Sequence, residues 1–321
     1  MKSTRTIDVL VLSEINPDLV LTGGESGEPV FGQVERLLAG AELTIGGSGT
    51  IFASGAARLG LRTVVVGLVG DDPFGAFITE QLRQHGVDTA GVVVSPSVPT
   101  GLTVILNRGE DRAILTHPGA MSAMTTDLVD ASLVARARHI HVSSYFLQTG
   151  LQPGLPSLLR SFRAKGGTVS LDTNWDPAER WADGVHELLT DVDVILPNEA
   201  EACALAGTDD LEEAAAILAR TVPQVVVKRG RRGAYAQFGN ERITSPSIVV
   251  DVADTTGAGD SFDAGYVHSL LLDLAPLDRL RMAAVCGALS TRALGGTAAQ
   301  ATLEEALAAT KMLSQPASHP C

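Results

Sequence analysis

The sequence predicts an α/β fold: a doubly wound, mainly parallel sheet flanked by helices, with a small β-sheet lid built from two insertions. Three observations predict it. Short apolar, β-branched runs recur and are nearly continuous rather than alternating, which suits parallel strands buried on both faces. Helical patterns alternate with them, as a doubly wound sheet requires. Two segments, 14–45 and 92–117, break that alternation with short strand runs of their own.

The strand runs, in order, are IDVLVL (7–12), TVVVGLV (63–69), HIHVS (139–143), TVSLD (168–172), DVILPN (193–198) and QVVVK (224–228). Helical spacing covers 50–59, 74–86, 125–136, 152–165, 200–206, 210–220, 260–272, 276–293 and 301–313. The first interruption holds the glycine-rich GGESGEP and the strands DLVL and ELTI. The second reads as three strands, VVV, GLTVILN and DRAILTH, with RGED turning the last two into a hairpin. Several short strands need a shared apolar face, so the two interruptions are expected to form one sheet covering an end of the body. The body then comprises 1–13, 46–91 and 118–315, the lid 14–45 and 92–117, and the tail 316–321 frays. Arg112 projects from the lid, where a solvent-facing edge charge discourages aggregation.

Bulk properties narrow the function. The 321 residues carry a net charge of −13, which repels nucleic acid and anionic membranes, and aromatics are too few (4%) to stack on bases. Cys203, Cys286 and Cys321 are scattered, with no CxxC pair, as expected of a reducing cytoplasm. No apolar stretch reaches membrane-spanning length, and the N-terminal apolar run lacks a cleavage site. A cytoplasmic protein without nucleic-acid or membrane partners is expected.

In open α/β sheets ligands sit beyond the strand C-terminal ends. GGSGTIF (46–52) matches a dinucleotide fingerprint at Gly47 and Gly49, but Phe52 occupies the third glycine position and would block the close helix–strand contact. No P-loop motif is present. Near the C-terminus DTTGAGDSF (254–262) sets a glycine turn and then a carboxylate, Asp260, at the mouth of a helix. A helix N-terminus attracts anions, so a carboxylate there is either a cap or a working group.

GGSGTIFASGAARLG (46–60) and DTTGAGDSFDAGY (254–266) together resemble the two signatures of the PfkB carbohydrate kinases, the ribokinase-like family. INPD (15–18), VGDDPFG (69–75), NEAE (198–201) and KRGRRGA (228–234) agree in order, so the resemblance spans nearly the whole chain. It implies transfer of the γ-phosphoryl group of ATP to a sugar or nucleoside hydroxyl. Asp260 would be the base, and the backbone of Gly257, Ala258 and Gly259 would hold charge developing on the phosphoryl group. Asn198 would lie near the phosphates, and Glu201 would help place Mg²⁺ through water; the alternative for this pair is a helix cap. Lys228, Gly230 and Gly233 would line the nucleotide site. Ala283 and Gly287 would face adenine, though small residues equally permit helix packing. Asn16, Asp18, Gly46 and Gly47 would bind the sugar, and Asp172 and Asn174 lie near the phosphoryl site. Asp254 and Thr256, with carbonyls near Arg292 and Gly296, match a K⁺ position.

Ser48 and Ile51 depart from the ribokinase pattern, in which Lys or a polar residue and then Asn follow the glycine pair. That removes a sugar contact and a phosphate-recognising cation, and points to a neutral sugar or polyol acceptor. A nucleoside kinase, with Ile51 tolerating a base, and a non-catalytic sugar-binding regulator are the alternatives. A homodimer through the lid is also expected, since exposed strands invite pairing.

Overall fold

The computed structural model describes residues 5–23, 31–108, 111–182 and 184–314, without the side chains of 107, 108, 111, 112 and 314. GGESGEP beyond Gly23, the hairpin tip at 109–110 and the tail therefore lie outside the described residues, as does the side chain of Arg112.

The chain runs β1 (Ile7–Leu12), β2 (Asn16–Thr22), β3 (Gly40–Gly46), α1 (Ser48–Arg58), β4 (Thr63–Gly70), α2 (Pro73–Gln84), β5 (Asp88–Ser95), β6 (Leu102–Arg108), β7 (Asp111–His117), α3 (Ala131–Arg136) and β8 (Ala137–Val142). It continues α4 (Leu155–Ala164), β9 (Thr168–Leu171), α5 (Val185–Leu188), β10 (Val194–Ile195), α6 (Glu199–Ala206), α7 (Leu211–Leu218) and β11 (Gln224–Lys228). It closes β12 (Ala234–Phe238), β13 (Glu241–Ser245), α8 (Ala258–Leu271), α9 (Pro276–Ser290) and α10 (Leu303–Ser314). A nine-stranded sheet has the order β13-β12-β11-β10-β9-β8-β1-β4-β5, and a separate four-stranded sheet the order β3-β2-β6-β7. From β11 across to β5 every pair is parallel. β12 and β13 add an antiparallel edge.

The doubly wound body and the separate small sheet match the fold read from the sequence. Three details differ. VVV belongs to β5, which pairs in parallel with β4 in the large sheet, so the expected lid boundary at 92 cuts through a body strand. The β4–α2–β5 unit is a short crossover that returns β5 beside β4. The β12–β13 hairpin was missed, although its Gly239–Asn240 turn, with Gly239 at φ 57, is a two-residue hairpin signal. The helix expected over 125–136 is only α3, because Asp130 accepts from Ser132 N and starts the helix there.

Local chemistry fixes the other helix starts. Asp72 caps α2 by accepting from Gly75 N at 2.9 Å, with Pro73 preset in the first turn. Asp210 caps α7 by accepting from Glu213 N at 2.8 Å. The starts of α1 and α8 differ: glycines at the cap positions, Gly47 and Gly257, have left-handed φ values of 75 and 71 and no side chain to offer.

The body's apolar residues pack on both sheet faces, one side gathering Leu10, Leu12, Ile140 and Leu171 and the other Val9, Val11, Phe52 and Val65. A polar line crosses the second face. His139 Nδ1 meets Thr168 Oγ1 at 2.8 Å and its Nε2 meets Ser170 Oγ at 2.7 Å; the same hydroxyl meets His141 Nδ1 at 2.8 Å. Phe52 stacks on the His141 ring with centroids 3.8 Å apart, so the residue that spoils the dinucleotide fingerprint fills the helix–sheet gap with two rings. Burial holds both histidines neutral, with pKa values pushed down to about 3.

Candidate active site

From β1 the chain winds outward through β4 and β5, then returns to β8 on the other side and winds the opposite way. Such a reversal opens a crevice at the strand C-terminal ends. Glu14 sits there, just past β1. Its Oε1 accepts from Ser48 N at 2.6 Å and Ser144 Oγ at 2.7 Å, and its Oε2 from Ser143 Oγ at 3.0 Å. The carboxylate thus supplies the cap that Gly47 cannot, and ties α1 to the ends of β1 and β8. Ser144 and Asn174 are both left-handed, at φ 47 and 53, and Asn174 Nδ2 donates to Ser144 Oγ at 3.0 Å. Two such non-glycine residues bonded to each other mark a strained, over-determined corner.

Asp260 lies in the first turn of α8, yet it is not the cap. Gly257 at the cap position has no side chain to offer α8, and of the first N–H groups that of Ala258 reaches Thr255 O at 3.3 Å. Asp260 is 8% exposed. Burial pushes its pKa up to about 8, the Asp172 charge adds to this, and Lys228 and a hydrogen bond with Ser48 pull against it. The turn before it is tightly fitted: a Cβ on Gly257 would stand 2.7 Å from Gly296 Cα and 2.9 Å from Ile51 Cγ2. Ile51 is therefore buried beneath the turn, which removes the expectation that it borders the sugar and accommodates a base.

One turn further along, Asp263 meets Lys228. Lys228 Nζ is 2.7 Å from Asp172 Oδ2 and 3.2 Å from Asp263 Oδ2, and its side chain is 12% exposed. Burial raises the pKa of Asp263 well above the carboxylate range, while the Lys228 ammonium pulls against it. Burial also pushes against Asp172, but the ammonium and three hydrogen bonds outweigh it and hold Asp172 ionised. Glu201, 5% exposed, is pushed up to about 7 by burial and then by Asp172.

Asn198 and Glu201 form a reciprocal capping box at α6: Glu201 N donates to Asn198 Oδ1 at 2.9 Å, and Asn198 N to Glu201 Oε2 at 2.8 Å. The capping alternative is thus real, yet it occupies one oxygen of Glu201 and leaves its burial beside Asp172 unexplained. Asn198 also bridges to Lys228 along the backbone. Asn16 and Asp18 open β2 opposite Gly46 and Thr44. Asn16 Nδ2 donates to Asp18 Oδ1 at 3.2 Å and Thr103 Oγ1 at 3.3 Å, while Asn16 Oδ1 is buried with no donor among the described residues. Asp254 Oδ1 accepts from Thr256 N at 2.9 Å and Oγ1 at 2.8 Å, and its Oδ2 from Gly295 N at 2.9 Å.

Four expected residues also have packing or turn roles. Ala283 is fully buried with Phe262, Tyr266 and Leu280, and a Cβ on Gly287 would stand 3.0 Å from Ala258 O, so their small size serves the contact between α8 and α9. Gly230 and Gly233 shape the turn into the β12 hairpin, and the Ser245 carbonyl fills the space a Gly233 side chain would need. Sequence reading missed Glu14, Ser143, Ser144 and Asp263. A carboxylate directly after the first strand, and another three residues past Asp260 on one helix face, were the available signals.

Beside Thr44, a cavity of about 290 Å³ is lined by Val20, Thr22, Gly40, Ala41, Glu42, Thr44, Leu294 and Gly295, with no cation among them. Among the described residues no helix is long and apolar enough to cross a membrane.

The chain is similar to known kinases in sequence and in fold. A ribokinase from Haemophilus influenzae is 29% identical, covering 92% of this chain and 96% of its own. A 2-dehydro-3-deoxygluconokinase from Bacillus subtilis is 32% identical over 80% of this chain and 82% of its own. An E. coli protein given a provisional ribokinase II assignment, solved in complex with ATP and Mg²⁺, superposes with a TM-score of 0.85 at 25% identity, covering 95% of this chain and 99% of that one. Residues 6–303 match the pfkB family carbohydrate kinases, and the chain belongs to that family.

Proposed function

We propose that this kinase transfers the γ-phosphoryl group of ATP to a hydroxyl of a neutral sugar or sugar-like polyol in the cytoplasm. One observation carries the reading: Asp260, a buried carboxyl with a pKa near 8, stands inside the uncapped start of α8. As base it takes the acceptor's proton while the acceptor oxygen bonds to the γ-phosphorus and the bond to ADP breaks. The N–H groups of Gly257, Ala258 and Gly259 hold the charge on the phosphoryl oxygens. Asn16, Asp18, Gly46 and Gly47 bind the acceptor, and the donor-less Asn16 Oδ1 is a place for a hydroxyl.

Asn198, Lys228, Gly230 and Gly233 follow the nucleotide. Glu201, buried beside Asp172, would place Mg²⁺ through water, and the ion would neutralise phosphate charge there. Asp254 and Thr256 are the K⁺ position. Ser48, where ribokinases carry Lys or another polar residue, supplies no cation for a carboxylate or phosphate, and this favours neutral acceptors.

The outward face of the small sheet aligns Leu19, Leu21, Leu43, Val104, Leu106 and Leu115, with Leu115 60% exposed, and this row is the proposed dimer surface. Light scattering of Leu115→Asp against wild type tests it: a shift from dimer to monomer is expected, and an unchanged mass counts against it.

The function itself is tested by ATP consumption with Mg²⁺ and K⁺ against neutral sugars, polyols, nucleosides and sugar acids, with Asp260→Asn beside wild type. Turnover on a neutral acceptor, lost in the variant, is expected. Undiminished turnover in the variant removes Asp260 as base, and turnover on an acid alone removes the neutral acceptor. Equal rates with K⁺ and with a large organic cation remove the K⁺ site.

A further inference from the structure

The carboxyl groups of Asp172, Glu201, Asp260 and Asp263 all feel the same cation, Lys228. An ammonium has three N–H donors. Asp172 and Asp263 engage two. The group also stands 3.4 Å from where a Cβ on Gly259 would be, so it borders the glycine turn at the open start of α8. Asp263, four residues on from Gly259 along α8, holds the ammonium beside this turn.

Resting on the kinase reading above, we propose that Lys228 is a catalytic residue whose remaining N–H binds the transferring phosphoryl group, and that Asp172 and Asp263 aim it there. The acceptor oxygen bonds to the γ-phosphorus, the bond to the ADP oxygen breaks, and the acceptor proton passes to Asp260. Lys228 keeps its protons throughout, since two carboxyl partners favour the ammonium form. The γ-phosphoryl group distinguishes ATP from ADP, so the contact is read without knowing the acceptor.

The test measures dissociation constants of Mg·ATP and Mg·ADP by titration calorimetry for wild type, Lys228→Met and Asp260→Asn. The expected result is that Lys228→Met reduces the preference for ATP by about tenfold or more while ADP affinity stays within about twofold. Asp260→Asn should not reduce it. Loss of equal size for both nucleotides, or no change in the preference, overturns the proposal and leaves Lys228 a structural tie between β11 and α8. If the methionine variant does not fold, the same pair of dissociation constants is measured for Lys228→Gln, where a lost preference for ATP is expected and an unchanged preference overturns the proposal. A wild type that binds neither nucleotide defeats the kinase reading itself, whereas a nucleotide-binding wild type with an indifferent Lys228 defeats only this inference.

Discussion

Glu14 accepts the hydroxyl of Ser144 at 2.7 Å, and Ser144 holds a left-handed backbone to deliver it. The same carboxylate receives Ser48 N and Ser143 Oγ, so every donor it meets requires an acceptor. Glu14→Gln replaces one accepting oxygen by a donor in a buried site. A loss of about 1–3 kcal/mol in urea unfolding is expected. The acceptor KM should rise more than the ATP KM, because Ser48 follows directly on Gly46 and Gly47. Unchanged stability in the glutamine variant would mean that the site relaxes around it.

The ionised form of Asp260 is the base, and its pKa is raised to about 8. Accordingly kcat/KM should climb from pH 6, reach half its limit near pH 8 and level off above about pH 9. A profile flat from pH 6 to 9 would remove Asp260 from proton transfer.

Stability should run the other way. Asp260 and Glu201 have folded pKa values of about 8 and 7, above their ordinary values of 3.8 and 4.5. Between those limits the unfolded chain has lost protons that the folded chain retains, so stability falls as pH rises through this window. Asp260→Asn removes the penalty. Since one unit is worth about 1.4 kcal/mol, a gain in Tm of roughly 2–4 °C or more is expected at pH 8 and little at pH 4. An equal gain at both values would refute the linkage.

Glu201 has two separable tasks. Glutamine can still accept from Asn198 N, so Glu201→Gln should keep the capping box while demanding more Mg²⁺ for half-maximal rate. Glu201→Ala loses both and should also cost about 0.5–2 kcal/mol of stability. If both variants show the same Mg²⁺ dependence as wild type, the residue only caps α6.

At Gly257 a φ of 71 and the nearness of Gly296 and Ile51 leave no place for a methyl group. Gly257→Ala should lower stability by about 1–3 kcal/mol. It should also cut kcat far more than it raises either KM, because the turn is displaced from the phosphoryl group. A variant with normal kcat would show that the turn does not hold the transition state.

The strands that form the middle of the large sheet were legible because burial on both faces writes an uninterrupted apolar run. β5 was assigned to the wrong sheet because VVV alone cannot say which partner it pairs with. At the site, Asp260 and its glycine turn were legible because they are contiguous in sequence. Glu14, Ser143 and Asp263 were not, since their task exists only once β1, β8 and α8 converge. Ala283 and Gly287 show the opposite limit: small residues on a helix suit a nucleotide and a neighbouring helix equally well, and in this fold the neighbour is α8.

The line from Thr168 through His139 and Ser170 to His141 has one more property. Each neutral ring carries a single N–H, and Ser170 has one proton for two nitrogens. If His139 donates to Ser170, then Ser170 must donate onward to His141; if His141 donates, the sequence runs backwards. Both polarities satisfy the three links equally. The interior of the sheet therefore contains a bistable dipole whose reversal breaks no bond count, and its far end, His141, lies within electrostatic reach of Asp172.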